Sequence, residues 1–174
     1  GLTSLLVSTV PIWMVVLDSF LAKGQSLTAG ILGGVFLGFF GVVLLAVPTK
    51  LSGESLDLHG ILQLLTASIL WAIGSLYARR AELPKSPFMA TALVMLCGGV
   101  FLVLFGFVTG EAALFSFSAI STKSAMSFLY LTFFGSLVGF TAYIWLLHNT
   151  SVAVASTYAY VNPLIAMILG CWIG

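Results

Sequence analysis

The sequence predicts an all-α fold, a polytopic helix bundle that spans a membrane. The chain has 174 residues, of which 60% are hydrophobic and only 6% are charged, and its mean hydropathy is +1.19. An ordinary soluble domain has about 25% charged residues. Six apolar segments also come close to the length of about 20 residues that a membrane-spanning helix needs. The lipid bilayer is therefore the expected surroundings of this chain.

The six predicted spans are separated by short polar loops. In order they are Gly1–Leu21, Ala29–Val47, Gly60–Tyr77, Met89–Val108, Ala125–Leu147 and a segment that runs from Val152 to the end of the sequence. Both ends of the sequence lie inside apolar runs. The chain is therefore expected to be an internal piece of a longer protein.

The loops also predict an orientation. If the spans alternate in direction, four of the six Lys and Arg residues lie on one side of the membrane and two on the other. The cluster of Arg79, Arg80 and Lys85 dominates the first side. Loops rich in Lys and Arg stay in the cytoplasm, so this side is predicted to be cytoplasmic.

Several functional classes find no support in the composition. A net charge of +1 without a basic patch gives no reason to expect a nucleic-acid partner. Cys97 and Cys171 lie inside apolar runs, where a disulfide framework is not expected. No metal-ligand spacing, cofactor motif or cluster of titratable groups is present, so the sequence predicts neither a metal site, a cofactor nor an enzyme.

Two prolines in separate spans point to a site. Pro11 and Pro163 are 152 positions apart, and Asn162 precedes the second one. Paired interruptions in corresponding spans mark the broken helices of internally repeated transporters, where substrates bind. Pro163 cannot donate to the carbonyl of Ala159 and would kink its helix, and Pro11 is expected to do the same. Asn162 either satisfies the freed carbonyls or contacts a substrate.

Polar and aromatic residues share faces of the predicted helices. In the third span, Ser68 and Trp71 are three residues apart, and in the sixth Tyr158 and Asn162 are four apart. The fifth span carries a face made of Thr132, Gly135, Ser136, Gly139 and Tyr143. Each face serves either close helix packing or the wall of a cavity. The candidate substrate-binding residues are Thr9, Trp13, Ser68, Trp71, Tyr143, Tyr158 and Asn162.

Asp18 is the only acidic residue inside a predicted span. It lies close to the end of that span, so it is either a solvated aspartate at the membrane surface or a group that couples transport to protons or binds a cation. Glycines at four-residue spacing, Gly30, Gly34 and Gly38, form a stripe on the second span. Such a stripe allows close helix approach, either within the fold or in a homodimer.

The order of several motifs resembles the EamA-type branch of the drug/metabolite transporter superfamily. The motifs are Gly1–Leu6 followed by Pro11-Ile12-Trp13, the glycine-rich Gly30–Pro48, Trp71–Gly74 followed by Arg79-Arg80, Gly139–Tyr143 followed by Trp145–Leu147, and Ser156–Pro163. They resemble the family's fourth, fifth, sixth, eighth and ninth helices. One departure is Gln25, where the family usually carries Glu before the next helix.

The resemblance implies a ten-helix fold of two inverted five-helix repeats. Residues 1–48 would then end the first repeat, residues 49–59 would form an external linker, and residues 60–174 would form most of the second repeat. The implied protein is a secondary transporter in the bacterial inner membrane, exporting small metabolites or drug-like compounds by alternating access. The alternative is a non-transporting membrane assembly or structural subunit, whose glycine stripe is an interface.

Overall fold

A computed structural model describes residues 6–21, 28–46, 58–111, 116 and 120–173. These residues form helices joined by short links, without strands. The helices are α1 (Val10–Phe20), α2 (Ala29–Ala46), α3 (Leu58–Arg80), α4 (Pro87–Val108), α5 (Thr122–Tyr130), a π-helix (Leu131–Gly139), α6 (Phe140–Asn149), α7 (Val152–Ser156) and α8 (Tyr158–Ile173). The prediction of an all-α membrane bundle is confirmed, and each of the six predicted spans overlaps one or more of these helices.

Among the described residues, three helical stretches are long and apolar enough to cross a membrane, judged by length and composition. They are Leu58–Arg80, Pro87–Val108 and the continuous stretch Thr122–Asn149. Serine side chains fix where several helices start. Ser86, Ser121 and Ser151 each accept a hydrogen bond from the backbone N–H three residues later, at 3.4, 3.1 and 3.2 Å. Such N-caps satisfy donors that the first turn of a helix leaves without partners.

The middle of the fifth span is a π-helix rather than an α-helix. The N–H of Phe140 donates to the carbonyl of Gly135, five residues earlier. A π-turn is wider than an α-turn, so residues three and four apart no longer lie above one another. The face predicted for this span assumed α-helical spacing. That spacing is absent between Leu131 and Gly139, so the predicted common face does not follow for the residues of this stretch.

The described residues divide into two compact units. The first contains the residues up to Arg80 together with those from Asn149 onward, and the second runs from Ala81 to His148. This division reflects which residues pack together, and it does not test where one sequence repeat ends and the next begins. The predicted repeats, 1–48 and 60–174, remain a prediction, and most of the predicted linker 49–59 lies outside the described residues.

Helix α1 lies at the centre of the first unit. It packs most extensively against α3 and next against α7. Its buried positions are Val10, Pro11, Met14, Val15 and Asp18, a helical stripe in which Met14 is 0% exposed. Such a stripe buries one face of a helix against its neighbours.

Two hydrogen bonds show that α1 and α3 run parallel. Near the start of the first span, the Ser68 hydroxyl donates to the carbonyl of Leu6 at 3.4 Å, and at the other end Arg80 donates to Asp18 at 3.0 Å. Both pairs are separated by 62 residues in the sequence. Parallel helices two spans apart are what alternating membrane crossings require.

Candidate functional site

The first span is broken at Ser8–Thr9, just before Pro11. The N–H of Thr9 donates to the carbonyl of Leu6 at 3.2 Å, and the N–H groups of Ile12 and Trp13 donate to the carbonyl of Thr9 at 3.0 and 3.2 Å. The Thr9 hydroxyl adds a second bond to the Leu6 carbonyl, at 2.6 Å. Hydrogen bonds that reach only three residues back tighten the turn and interrupt the α-helix.

The sixth span is broken in the same way at Thr157. Its N–H donates to the carbonyl of Val154 at 3.2 Å, and its own carbonyl accepts from Tyr160 and Val161 at 2.9 and 3.4 Å. The Thr157 hydroxyl donates to the same Val154 carbonyl at 2.7 Å. Ser156, which precedes Thr157, is 0% exposed, as is Ser8 in the first span. A Ser-Thr pair therefore forms the same broken turn twice, 148 residues apart.

The prolines occupy different places relative to the two breaks. Pro11 is the second residue of α1 and follows the first break by two residues, whereas Pro163 follows the second break by six residues and lies inside α8. Pro11 is fully buried and Pro163 is half-buried. Helix α1, which contains Pro11, packs against α7, the part of the sixth span that precedes its break.

Three of the predicted site residues meet around the carbonyl of Leu6. Thr9 and Ser68 both donate to this carbonyl, at 2.6 and 3.4 Å. The indole N–H of Trp13 donates to the Thr9 hydroxyl at 3.2 Å. We call these four residues the Leu6 carbonyl cluster. In a membrane, irregular backbone is tolerated where protein or water satisfies its polar groups, and this cluster satisfies the carbonyl that the break exposes.

The hydrogen bonds that define the Leu6 carbonyl cluster do not include the other predicted site residues. On α3, Trp71 is one turn beyond Ser68 and is 42% exposed. On α8, Tyr158 is half-buried and Asn162 is exposed. Tyr143 belongs to the second unit, where its ring lies 5.9 Å from that of Phe140. The described hydrogen bonds thus bring together three of the seven candidates, and the convergence of all seven on one cavity remains a prediction.

Most of the glycine stripe on α2 faces open space. A Cβ built on Gly30, Gly33, Gly34 or Gly41 would meet nothing within 4 Å among the described residues. Gly38 is different, because the ring of Tyr160 lies against it. The packing alternative therefore holds at Gly38, and a homodimer through the other glycines remains a prediction.

A groove of about 380 Å³ opens between the last turns of α1 and α3. It is lined by Leu17, Phe20 and Leu21 of the first span and by Ile73, Leu76, Tyr77 and Arg80 of the third. None of the predicted substrate-binding residues lines this groove. Side-chain packing therefore leaves part of the space between these helix ends unfilled.

Asp18 lies beside this groove and is buried. Its exposure is 4%, and Arg80 pairs with its Oδ1 at 3.0 Å. The alternative of a solvated aspartate is wrong, because the end of α3 covers the carboxylate and supplies a guanidinium. Arg79, the preceding residue, donates to the carbonyl of Thr150 at 2.7 Å. Both arginines thus have structural partners beyond their predicted effect on orientation.

Comparison with known proteins decides the family. The model of the EamA-like transporter family matches residues 58–174, which is more than half of the chain. The chain belongs to this family. The EamA-like family consists of transporters, so the prediction that the protein is not an enzyme is confirmed. No solved structure matches the chain.

Curated relatives support the same assignment. The chain is 34% identical over 174 residues to the uncharacterized inner membrane transporter YedA of Escherichia coli K12, covering 100% of this chain and 54% of YedA. It is 31% identical to the WAT1-related protein At3g02690, chloroplastic, of Arabidopsis thaliana, covering 98% of this chain and 42% of that protein. For the uncharacterized transporter YvbV of Bacillus subtilis the identity is 28%, with coverage of 97% and 53%.

The chain therefore spans about half the length of the curated relatives it matches. The predicted location, a multi-pass protein of the inner membrane, is confirmed by the family, by the apolar helices and by the similarity to YedA.

Sequence reasoning missed two features of this EamA-like chain. The first is the pair of broken turns, because the predicted correspondence places Pro11 over Pro163 and not Ser8-Thr9 over Ser156-Thr157. These identical dipeptides in corresponding spans were a visible signal. The second is the pairing of Arg80 with Asp18. Local sequence patterns do not predict this pair, because the two residues are 62 positions apart.

Proposed function

We propose that the complete protein is a secondary transporter that exports small metabolites or drug-like compounds across the bacterial inner membrane by alternating access. Membership of the EamA-like family supports a transporter. Substrate class, direction and mechanism are the finer parts of the proposal. They rest on the chemistry of the chain's own residues.

The observation that carries the proposal is the pair of broken turns at Thr9 and Thr157. Discontinuous helices in two corresponding spans are the usual surroundings of a substrate site in transporters with internal repeats. Each break is closed locally by a threonine hydroxyl. A turn of this kind keeps its backbone satisfied while the two parts of the helix change their angle.

The side chains near the breaks suit apolar or cationic solutes. Trp13 lies at the first break, Tyr158 follows the second, and Trp71 lies one turn from Ser68. Aromatic walls with a few hydroxyl and amide groups bind such compounds without demanding one geometry. Within the described parts of the spans, basic side chains lie at helix ends, which makes anionic substrates the less favoured class.

Efflux measurements on the full-length protein test the site. Trp71→Ala and Asn162→Ala should each reduce efflux at equal expression. Trp172→Ala is the matched control, because Trp172 is 89% exposed near the end of α8 and lies far along the helix from the break. Wild-type efflux from both site variants would show that these residues do not form the substrate site.

A non-transporting assembly or structural subunit is the second candidate. The open surface at Gly30, Gly33, Gly34 and Gly41 favours it, since small residues let another helix approach closely. Substitution of Gly34 by Leu distinguishes the two proposals. If the protein is a structural subunit, the Gly34→Leu variant should no longer bind its partner in a pull-down. If the protein is a transporter that does not use this face, the variant should keep wild-type efflux.

A further inference from the structure

Two consecutive arginines at the end of α3 hold two different parts of the first unit. Arg80 donates to Oδ1 of Asp18 on α1 at 3.0 Å, and Arg79 donates to the carbonyl of Thr150 at 2.7 Å. Thr150 lies in the link that leads into α7. Successive side chains of a helix point in directions about 100° apart, so neighbouring residues can reach two elements at once. The end of α3 is thereby fastened to both spans that carry a broken turn.

Polar contacts join these ends beside an open groove. The groove beside Asp18 leaves part of the space between α1 and α3 open. Asp18 is 4% exposed, and the Arg80 side chain is 35% exposed. A carboxylate that loses a charged partner while still buried is strongly destabilised. Loss of the Arg80 contact is therefore costly while Asp18 stays buried.

The contacts lie at a distance from the breaks. Asp18 is nine residues beyond Thr9, and Thr150 is seven residues before Thr157. These spacings correspond to about 14 and about 10 Å of helix. A change of angle at either break therefore acts on the ends where the two arginine contacts lie.

We propose that these two contacts, Arg80 with Asp18 and Arg79 with the Thr150 carbonyl, form a latch that holds the cytoplasmic end of the transport pathway closed. This inference rests on the proposed function for the pathway and on the distribution of Lys and Arg for the side. Opening of the latch gives the state in which the pathway faces the cytoplasm. Packed elements with two discrete arrangements are the usual basis of such transitions.

Labelling of a buried reporter tests the latch in the full-length protein. All native cysteines are replaced, and Ser75→Cys is introduced, because Ser75 is 6% exposed and lies just over one turn before Arg80 on α3. Inside-out membrane vesicles are treated with a membrane-impermeant maleimide. Asp18→Asn and Arg80→Gln should each raise the labelling rate at least about fivefold, the low end of typical coupling between conformational states.

Combined variants separate a latch from general damage. The double variant Asp18→Asn, Arg80→Gln should be labelled about as fast as either single variant, because each single substitution already removes the contact between the two residues. Arg79→Gln should add to that rate, because its contact is a separate one. Exchange of the charges, Asp18→Arg with Arg80→Asp, should restore slow labelling. Glu82→Gln is the control: it removes an exposed charge two residues beyond Arg80 and should leave the rate unchanged.

The two proposals fail in different ways. Unchanged labelling in Asp18→Asn and Arg80→Gln overturns the latch, even if the protein transports its solute. Fast labelling in both variants without rescue by the charge exchange also overturns it, because loss of structure then explains the result. If the wild-type protein moves no solute, the proposed function fails, while the labelling rates still decide whether the contacts keep this end closed.

Discussion

The aromatic ring of Tyr160 occupies the space that a Cβ on Gly38 would need. A Cβ built on Gly38 would lie 2.6 Å from both Cδ2 and Cε2 of Tyr160 and 3.2 Å from Cγ. The hydroxyl of the same tyrosine donates to the carbonyl of Val35, one turn earlier on α2, at 2.8 Å. One side chain of α8 is thus packed and hydrogen-bonded against α2.

Gly38→Ala should destabilise the protein. The added methyl group would overlap the ring, and such overpacking costs about 1–3 kcal/mol of unfolding free energy. Gly34→Ala is the matched control one turn away, where a Cβ meets nothing within 4 Å. Thermal unfolding of the full-length protein in detergent measures both. Equal stability of the two variants would contradict the described contact.

Tyr160→Phe should cost less than Gly38→Ala. It removes only the hydrogen bond to Val35, and hydrogen bonds between membrane helices contribute about 0.6 kcal/mol on average. In a Gly38→Ala background the ring is already displaced, so the same substitution should cost close to nothing. A double-mutant cycle of unfolding free energies measures this coupling. Full additivity would show that the ring and the hydroxyl act independently.

Removal of the two break hydroxyls should have unequal effects. Thr9 donates to the Leu6 carbonyl and also accepts from the indole of Trp13, whereas the Thr157 hydroxyl donates to the carbonyl of Val154. Thr9→Val should therefore lower efflux and shift the fluorescence of Trp13, measured with the other tryptophans replaced. Thr157→Val should reduce efflux and leave that fluorescence unchanged. Thr9→Ser retains the hydroxyl and should behave like the wild type.

Thr91→Val should stabilise the chain or leave its stability unchanged. Thr91 is 0% exposed, and among the described residues its hydroxyl has no hydrogen-bond partner. A buried polar atom without a partner costs about 1–3 kcal/mol, and valine has nearly the same shape. Thermal unfolding of the full-length protein is the measurement. A clear loss of stability would show that the hydroxyl has a partner elsewhere in the complete protein.

The sequence predicted the spans well because hydropathy and length are local properties. The start of α4 at Pro87 and the end of α3 at Arg80 lie within three residues of the predicted limits. Thr9, Trp13 and Ser68 were also predicted as site residues, and their meeting at the Leu6 carbonyl was not. Spacing along one helix shows which side chains share a face, but it does not show that Ser68 of the third span and Thr9 of the first donate to the same carbonyl.

The π-helix and the buried aspartate could not be predicted for a related reason. The sequence of Leu131–Gly139 has no proline to mark a change of helical spacing. For Asp18 the sequence left a solvated aspartate and a coupling group as alternatives, because it lies three residues from the end of its predicted span. Its burial depends on where α3 ends in space, a property set by packing between distant parts of the chain.

The two prolines repeat at 152 residues and the two broken turns at 148, so the spans bend at points that differ by about one helical turn relative to their prolines. If the proposed repeat relates these two spans, their prolines and their bends cannot be superimposed at the same time.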